Sequence, residues 1–429
     1  MAKYIGLNID WHIVFHITTL ILGLLALLKV IIKGKIFVKK KEYFFLFSVM
    51  GFLFLGVFYL PDNSLFITYW GIFEYLYIFL FAYFLSFFVS RRTNVRLIYI
   101  SFKSFIFLIV GIAIYQEIEF LLHRFGIIPV MLFKSHPEEA VRLGILRPPS
   151  FVGGPTEWGS ITLIYLLADF YLHNFKLSKS GLIILFFVII SVTRSLYLSL
   201  LGVVILLVVI RRKYLIAGFK DTVEKYNLYK NLKKMRYILI LSSIVVGVIL
   251  VYIFIYSMQK EIDFFVYEGH LRGYALNIAT KIDNPISGLG PGMFGSYVSF
   301  VANTPFLEKY WSYILQDVQR IKTIDSYWLQ VFIETGIVGI LLNIMLFIGF
   351  YRMLFISFKN LSRENKIIKS IAFACLPIPL IYAINGIGFT TFIPSYVIWS
   401  SILSGTILGY ERYFCYEKTD NYFTNRGKT

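Results

Sequence analysis

Gly181–Ile210 reads GLIILFFVIISVTRSLYLSLLGVVILLVVI, a thirty-residue apolar stretch with a single charge, Arg194, near its middle. As one helix it would run about 45 Å, well beyond a hydrocarbon core about 30 Å thick. Two readings follow: one long tilted helix, or two short helices meeting at Thr193-Arg194-Ser195. Charge outside the stretch selects between them, because short loops rich in Lys and Arg stay on the cytoplasmic side of a membrane. Such loops are Lys33–Lys41, Arg91-Arg92 with Arg96, Lys176 with Lys179, Arg211–Arg236 and Arg352–Lys369. All five share one side only if 181–210 crosses twice, as a hairpin whose tip, Arg194, points outward.

Working outward, the other apolar runs long enough to cross fall at 13–32, 43–60, 66–89, 97–116, 159–175, 237–257, 327–351, 369–386 and 391–410. The expected fold is an all-α polytopic membrane protein, a single integral membrane domain over 1–429 with about eleven crossings. Its N-terminus lies outside and its C-terminus in the cytoplasm. Composition agrees: 58% of residues are hydrophobic and 15% charged, and mean hydropathy is +0.72, which excludes a soluble globular class. The net charge of +18 reads as a membrane-orienting excess, not as a nucleic-acid surface. Cys375 and Cys415 form neither a disulfide framework nor a metal-ligand cluster. The first apolar run, after Asp10-Trp11-His12, has no small-residue cleavage site and reads as a retained helix.

This topology leaves a basic cytoplasmic loop at 211–236 and two sizeable external loops, 117–158 and 258–326. The larger external loop is charge-balanced, and Leu271, Tyr274, Ala275, Ile278, Ala279 and Ile282 recur in it at helical spacing. They predict a short amphipathic helix ended by Asp283-Asn284-Pro285, with His270 and Arg272 at its start. Gly288, Gly290, Pro291, Gly292 and Gly295 follow. Such a stretch is either a plain connector or a loop able to aim backbone N–H groups at an anion. In the first external loop, Arg147-Pro148-Pro149-Ser150-Phe151-Val152-Gly153-Gly154-Pro155-Thr156-Glu157-Trp158-Gly159 is too rich in Pro and Gly for helix. It either fixes Arg147 and Glu157 at the mouth of the bundle or is an ordinary connector. Arg142 precedes it.

Arg194, at a junction of two half-length helices, sits at a depth where a cation needs a partner or a wet cavity. It is either functional or a snorkelling hairpin tip. Glu74 and Asp169 also fall within apolar runs, Asn343 and Asn385 read as interhelical hydrogen-bonders, and the histidines form no ligand pattern.

Taken together, Arg147 to Gly159, the Thr193-Arg194-Ser195 break, His270-Leu271-Arg272, Asn284-Pro285-Ile286-Ser287-Gly288-Leu289-Gly290, and Asp325-Ser326-Tyr327-Trp328-Leu329-Gln330 running to Glu334-Thr335-Gly336-Ile337-Val338-Gly339 stand in one order. That order resembles the O-antigen polymerase and ligase superfamily of Wzy and WaaL types, over roughly 140–345. The resemblance implies a glycosyltransferase of the bacterial plasma membrane that uses no nucleotide sugar, metal or other cofactor. Its expected partner is an undecaprenyl-diphosphate-linked oligosaccharide in the lipid bilayer, with a chain-length regulator and a flippase of the same pathway. In polymerases the growing glycan moves to the non-reducing end of a new lipid-linked repeat unit of O-antigen, capsule or exopolysaccharide. In ligases it moves to the lipid A core or another acceptor.

The residue types suit this chemistry. Guanidinium groups bind phosphate oxygens in forks at any working pH, so Arg147, Arg194 and Arg272 fit a departing diphosphate. Asp325 stands where family ligases carry His; it is the expected base, or else a helix cap at Tyr327. That Asp favours polymerase over ligase. The expected catalytic set is Asp325, Arg272 and Arg194; Arg147, Arg142, His270, Glu157, Trp158 and Tyr274 are expected to bind diphosphate or glycan, the last two by stacking on sugar rings. Tyr310, Trp311, Tyr327 and Trp328 are further stacking candidates. A lipid-linked oligosaccharide flippase or other transporter is the reading from a different class; its expected internal repeat of cationic short-loop halves is missing from the sequence.

Overall fold

In the computed structural model, the described residues are 11–33, 39–60, 64–90, 93–128, 141–142, 145–146, 155–190, 197–206, 271–302, 304, 326–361, 364–386 and 394–426. They are helical apart from connecting turns and one two-residue antiparallel pair, β1 (Val141–Arg142) and β2 (Ile145–Leu146), in register Val141 to Leu146. The helices are α1 (Trp11–Lys33), α2 (Tyr43–Tyr59), α3 (Leu65–Leu85), α4 (Val95–Arg124), α5 (Pro155–Leu172) and α6 (Lys179–Ile190). After α7 (Tyr197–Leu206) come α8 (Leu271–Thr280), α9 (Tyr297–Val301), α10 (Tyr327–Asn360), α11 (Lys366–Cys375), α12 (Ile378–Asn385) and α13 (Pro394–Arg426).

Five helical stretches among the described residues are long and apolar enough to cross a membrane: Val14–Ile32, Leu65–Leu85, Val95–Arg124, Tyr327–Asn360 and Lys366–Asn385. The protein is therefore a helical membrane protein. α1 carries Ile17, Leu20, Leu24, Leu28 and Ile31 exposed, an apolar face of the kind lipid covers. α3 is the opposite case and sits in the interior, packed by α1, α2 and α13, while α10 lies along α2.

The helix ends gather into two sets. At one pole the start of α2, the end of α3, the end of α10 and the late part of α13 are tied by charge. Lys41 Nζ meets Glu411 Oε2 at 2.5 Å and Lys39 meets it at 3.3 Å, while Arg412 meets Glu42 at 2.8 Å. Asn360 Nδ2 donates to Glu411 at 2.7 Å, Lys41 to Ser357 Oγ at 2.9 Å, and the Tyr83 hydroxyl to Glu42 at 3.0 Å. Burial alone would push the Glu411 carboxyl up, but Lys41 and then Lys39 outweigh it and hold it down at about 2. Burial also pulls the Lys41 ammonium below its ordinary value, with Glu411 resisting. At the other pole lie the end of α2, the start of α3, the start of α10 and the loop 281–298.

Several boundaries differ from expectation. α4 runs on to Arg124, past the expected end at 116. α5 starts at Pro155, so Thr156, Glu157 and Trp158 are helical and not part of a Pro/Gly loop. The reason is that Pro is favoured at the first helical position, where its missing N–H is no loss. The run 369–386 is two helices, α11 and α12, with Pro377 at the junction. Within 181–210 the described residues are helical over α6 and α7, and Thr193-Arg194-Ser195 lies outside the described residues. The Tyr197 hydroxyl donates to the Ile189 carbonyl.

Candidate functional site

The pole opposite the Lys41–Glu411 cluster is built around a break in α10. α10 is two helical segments joined across a kink at Gly336, which has φ +62° and ψ −160°. That conformation belongs to glycine, since a Cβ there would lie 2.3 Å from the Ile286 carbonyl oxygen. A break within an apolar bundle frees backbone groups that lipid cannot satisfy. Here the segment 285–290 satisfies them. Ile337 N–H donates to Pro285 at 3.0 Å and Val338 N–H to Ile286 at 3.1 Å; on the near side, Leu289 N–H donates to Ile333 at 2.9 Å and Gly290 N–H to Glu334 at 2.7 Å. Gly288, at φ +77°, must be glycine for the same reason, because a Cβ would sit 2.6 Å from the Glu334 carbonyl carbon.

The segment is shaped before it docks. Asn284 Oδ1 accepts from Ile286 and Ser287 N–H at 3.2 and 3.3 Å, an Asx turn. α8 then packs on α10 through Ala275, Ile278, Ala279, Phe294 and Ile333, a small buried cluster. The amphipathic helix expected at 271–282 is thus present as Leu271–Thr280.

Two carboxylates fix the glycine-rich turn. Glu334, 0% exposed, accepts from Gly292 N–H at 2.9 Å, from Phe294 N–H at 3.0 Å and from the Tyr75 hydroxyl. Glu74, also buried, accepts from Val298 N–H at 2.9 Å. Of the N–H groups in this turn, those of Gly292 and Phe294 are therefore aimed at a carboxylate of the chain itself, while those of Gly288 and Gly290 go to the Asn284 and Glu334 carbonyls. Gly71 lets α3 approach the turn, since a Cβ would fall 2.2 Å from Gly292 N.

Around this unit the polar side chains are mostly settled. Asn385 joins helices as expected, donating to Ser160 at 2.8 Å and accepting from Ser199 at 3.3 Å. Asn343 instead spans the break within α10, accepting from the Tyr327 hydroxyl and donating to Gly339 at 3.1 Å. Asp169 closes the α5–α6 turn, accepting from Ser178 N–H at 3.0 Å beside Asn174 and Phe175 at positive φ. His16 lies edge-on against Trp70, Phe73 and Tyr77. Gln330, one turn before Glu334 and 0% exposed, has no hydrogen-bond partner on either amide atom among the described residues.

Among the expected site residues, Asp325, Arg194, Arg147 and His270 lie outside the described residues. Arg142 is placed in β1, Arg272 and Tyr274 in the first half of α8, and Glu157 in the first turn of α5, as backbone positions. Trp158 is fully buried in the main core, where its ring packs and is not open to a glycan. Tyr327 is likewise buried, and Trp328 donates its indole N–H to the Ala383 carbonyl at 2.7 Å. Glu334, quoted in the motif but given no role there, is the residue that sequence reasoning missed. A charge seven residues into an apolar run marks it. Among the described residues no group of His, Cys, Asp and Glu is placed to hold a metal ion. The chain matches no protein-family model and no curated protein.

Proposed function

We propose that this protein is a polysaccharide polymerase of the bacterial plasma membrane, transferring a growing glycan from undecaprenyl diphosphate to a lipid-linked repeat unit. One observation carries the reading. The two motifs of the resemblance that are farthest from chemistry in sequence, Asn284–Gly290 and Glu334–Gly339, are paired backbone to backbone across the α10 break. Motifs that dock on one another behave as parts of one site, and α8, bearing Arg272, is packed against the same break.

In the transfer, an acceptor hydroxyl oxygen forms the new bond to the anomeric carbon of the growing chain. The bond from that carbon to the diphosphate breaks, undecaprenyl diphosphate leaves with the electron pair, and the hydroxyl proton passes to a base, assigned to Asp325. Arg147, Arg194 and Arg272 carry the charge of the departing diphosphate. In this reading the pole with the glycine turn faces outward and the Lys41–Glu411 pole faces the cytoplasm. The chain then crosses about eleven times.

Incubating the purified protein with synthetic undecaprenyl-diphosphate repeat units alone tests this. A ladder of lengthening products supports polymerisation. Product only after a core acceptor is added supports ligation instead, and lipid scrambling in proteoliposomes without new glycosidic bonds overturns both.

A further inference from the structure

Glu334 meets donors only. Gly292 N–H, Phe294 N–H and the Tyr75 hydroxyl converge on its two oxygens, and the Ser296 hydroxyl adds a fourth contact. A carboxylate offers about four acceptor sites, so the set is filled. The turn that supplies the N–H groups has Gly288, Gly290, Gly292 and Gly295 all at positive φ, between 77° and 113°. Backbone of this kind forms a concave nest for an anion.

Phe294 connects the nest to the rest of the site. Its N–H rests on Glu334, and its ring, 0% exposed, lies in the cluster with Ala275, Ile278 and Ala279 of α8. The helix that carries Arg272 is therefore seated partly on a residue whose backbone Glu334 holds.

We infer that Glu334 is the resident anion of the 288–294 loop and, through Phe294, a positioning residue that seats α8 for the transfer. The second half rests on the polymerase reading; the first does not. A backbone nest selects for the charge and planarity of an oxyanion more than for the chain that delivers it. A small free carboxylate should then replace the side chain. Glu334→Gly, in the full-length protein, removes the tethered anion and leaves the donors in place, and formate is the probe that refills the nest.

Two readouts separate the halves. Hydrogen exchange of the 285–296 amides reports the loop, and elongation of synthetic undecaprenyl-diphosphate repeat units, split into kcat and KM, reports the transfer. In Glu334→Gly both loop protection and kcat are expected to fall about tenfold or more, as loss of charge-assisted hydrogen bonds implies. Formate restores both in the variant and changes neither in the wild type. Glu334→Gln, which turns an N–H donor toward donors, stays impaired with formate.

Should Glu334→Gly fail to fold, Glu334→Asp keeps the charge and withdraws it by one methylene; loop protection and kcat must then fall together. Wild-type protection in these variants, or no recovery of protection with formate, overturns the resident anion. A fall in kcat with the loop fully protected overturns positioning and makes Glu334 a direct participant. If the wild type yields no ladder, the transfer reading fails, and the exchange experiment still decides the anion.

Discussion

Replacing Gly336 by alanine tests the break in α10 directly. At φ +62° and ψ −160° an L-residue pays roughly 1–3 kcal/mol in backbone strain. The added Cβ would also press to 2.3 Å from the Ile286 carbonyl oxygen and 2.7 Å from that of Pro285. Both are backbone atoms that cannot swing aside, so the bonds from Ile337 and Val338 into this segment are lost. At about 1 kcal/mol each, these bring the total to about 3–5 kcal/mol. The variant has an escape, because residues 327–360 can instead form an unbroken helix that regains its own ladder and expels the loop. Thermal unfolding of Gly336→Ala in detergent, paired with hydrogen exchange over 285–296, distinguishes these outcomes from no effect. A lowered midpoint with rapid exchange in the loop is expected. A midpoint within error of wild type and a protected loop would refute the broken-helix account.

The remaining predictions concern other parts of the molecule. Glu411→Gln should destabilise by about 3 kcal/mol at neutral pH, since its carboxyl is held at about 2 against an ordinary value near 4.5. The sign follows from that depression: the contribution is full above about pH 4.5 and disappears as pH falls toward about 2, so denaturation curves of variant and wild type should converge over that range. Gln330→Met removes two buried amide atoms without partners and should raise stability by about 1–3 kcal/mol. A fall in the thermal midpoint would mean that the amide is satisfied by something bound there. Arg194→Ala and Arg272→Ala should each abolish elongation while leaving membrane insertion intact; wild-type product lengths from both would remove these arginines from the mechanism.

Helix existence was legible because apolar runs of sufficient length have few alternatives in lipid. Pairing was not. Lys39, Lys41 and Glu42 stand 370 or more residues before Glu411 and Arg412 in the pairs they form, and nothing local says that these three cations and two carboxylates meet. The break at Gly336 was hidden for a related reason: Glu-Thr-Gly within an apolar run is compatible with a continuous helix, and the partner that makes the break tolerable lies in a different loop. Pro155 misled by type. Proline in a run of glycines suggests a loop, yet at the first position of α5 it starts the helix. The glycine turn was open to two readings, connector or anion loop; two of its N–H groups rest on the Glu334 carboxylate, an acceptor that lies in a distant helix.

Chain order gives the α10 break a further meaning. Residues 285–290 leave the ribosome before residues 327–360, so a nascent α10 meets its loop already made. If the loop is late in reaching the bundle, α10 inserts as an unbroken rod and the finished protein is trapped in a misassembled form. Correct assembly at the Gly336 pole therefore depends on the order in which two segments some forty residues apart reach the bundle, and slowing translation between them is expected to alter the yield of correctly assembled protein.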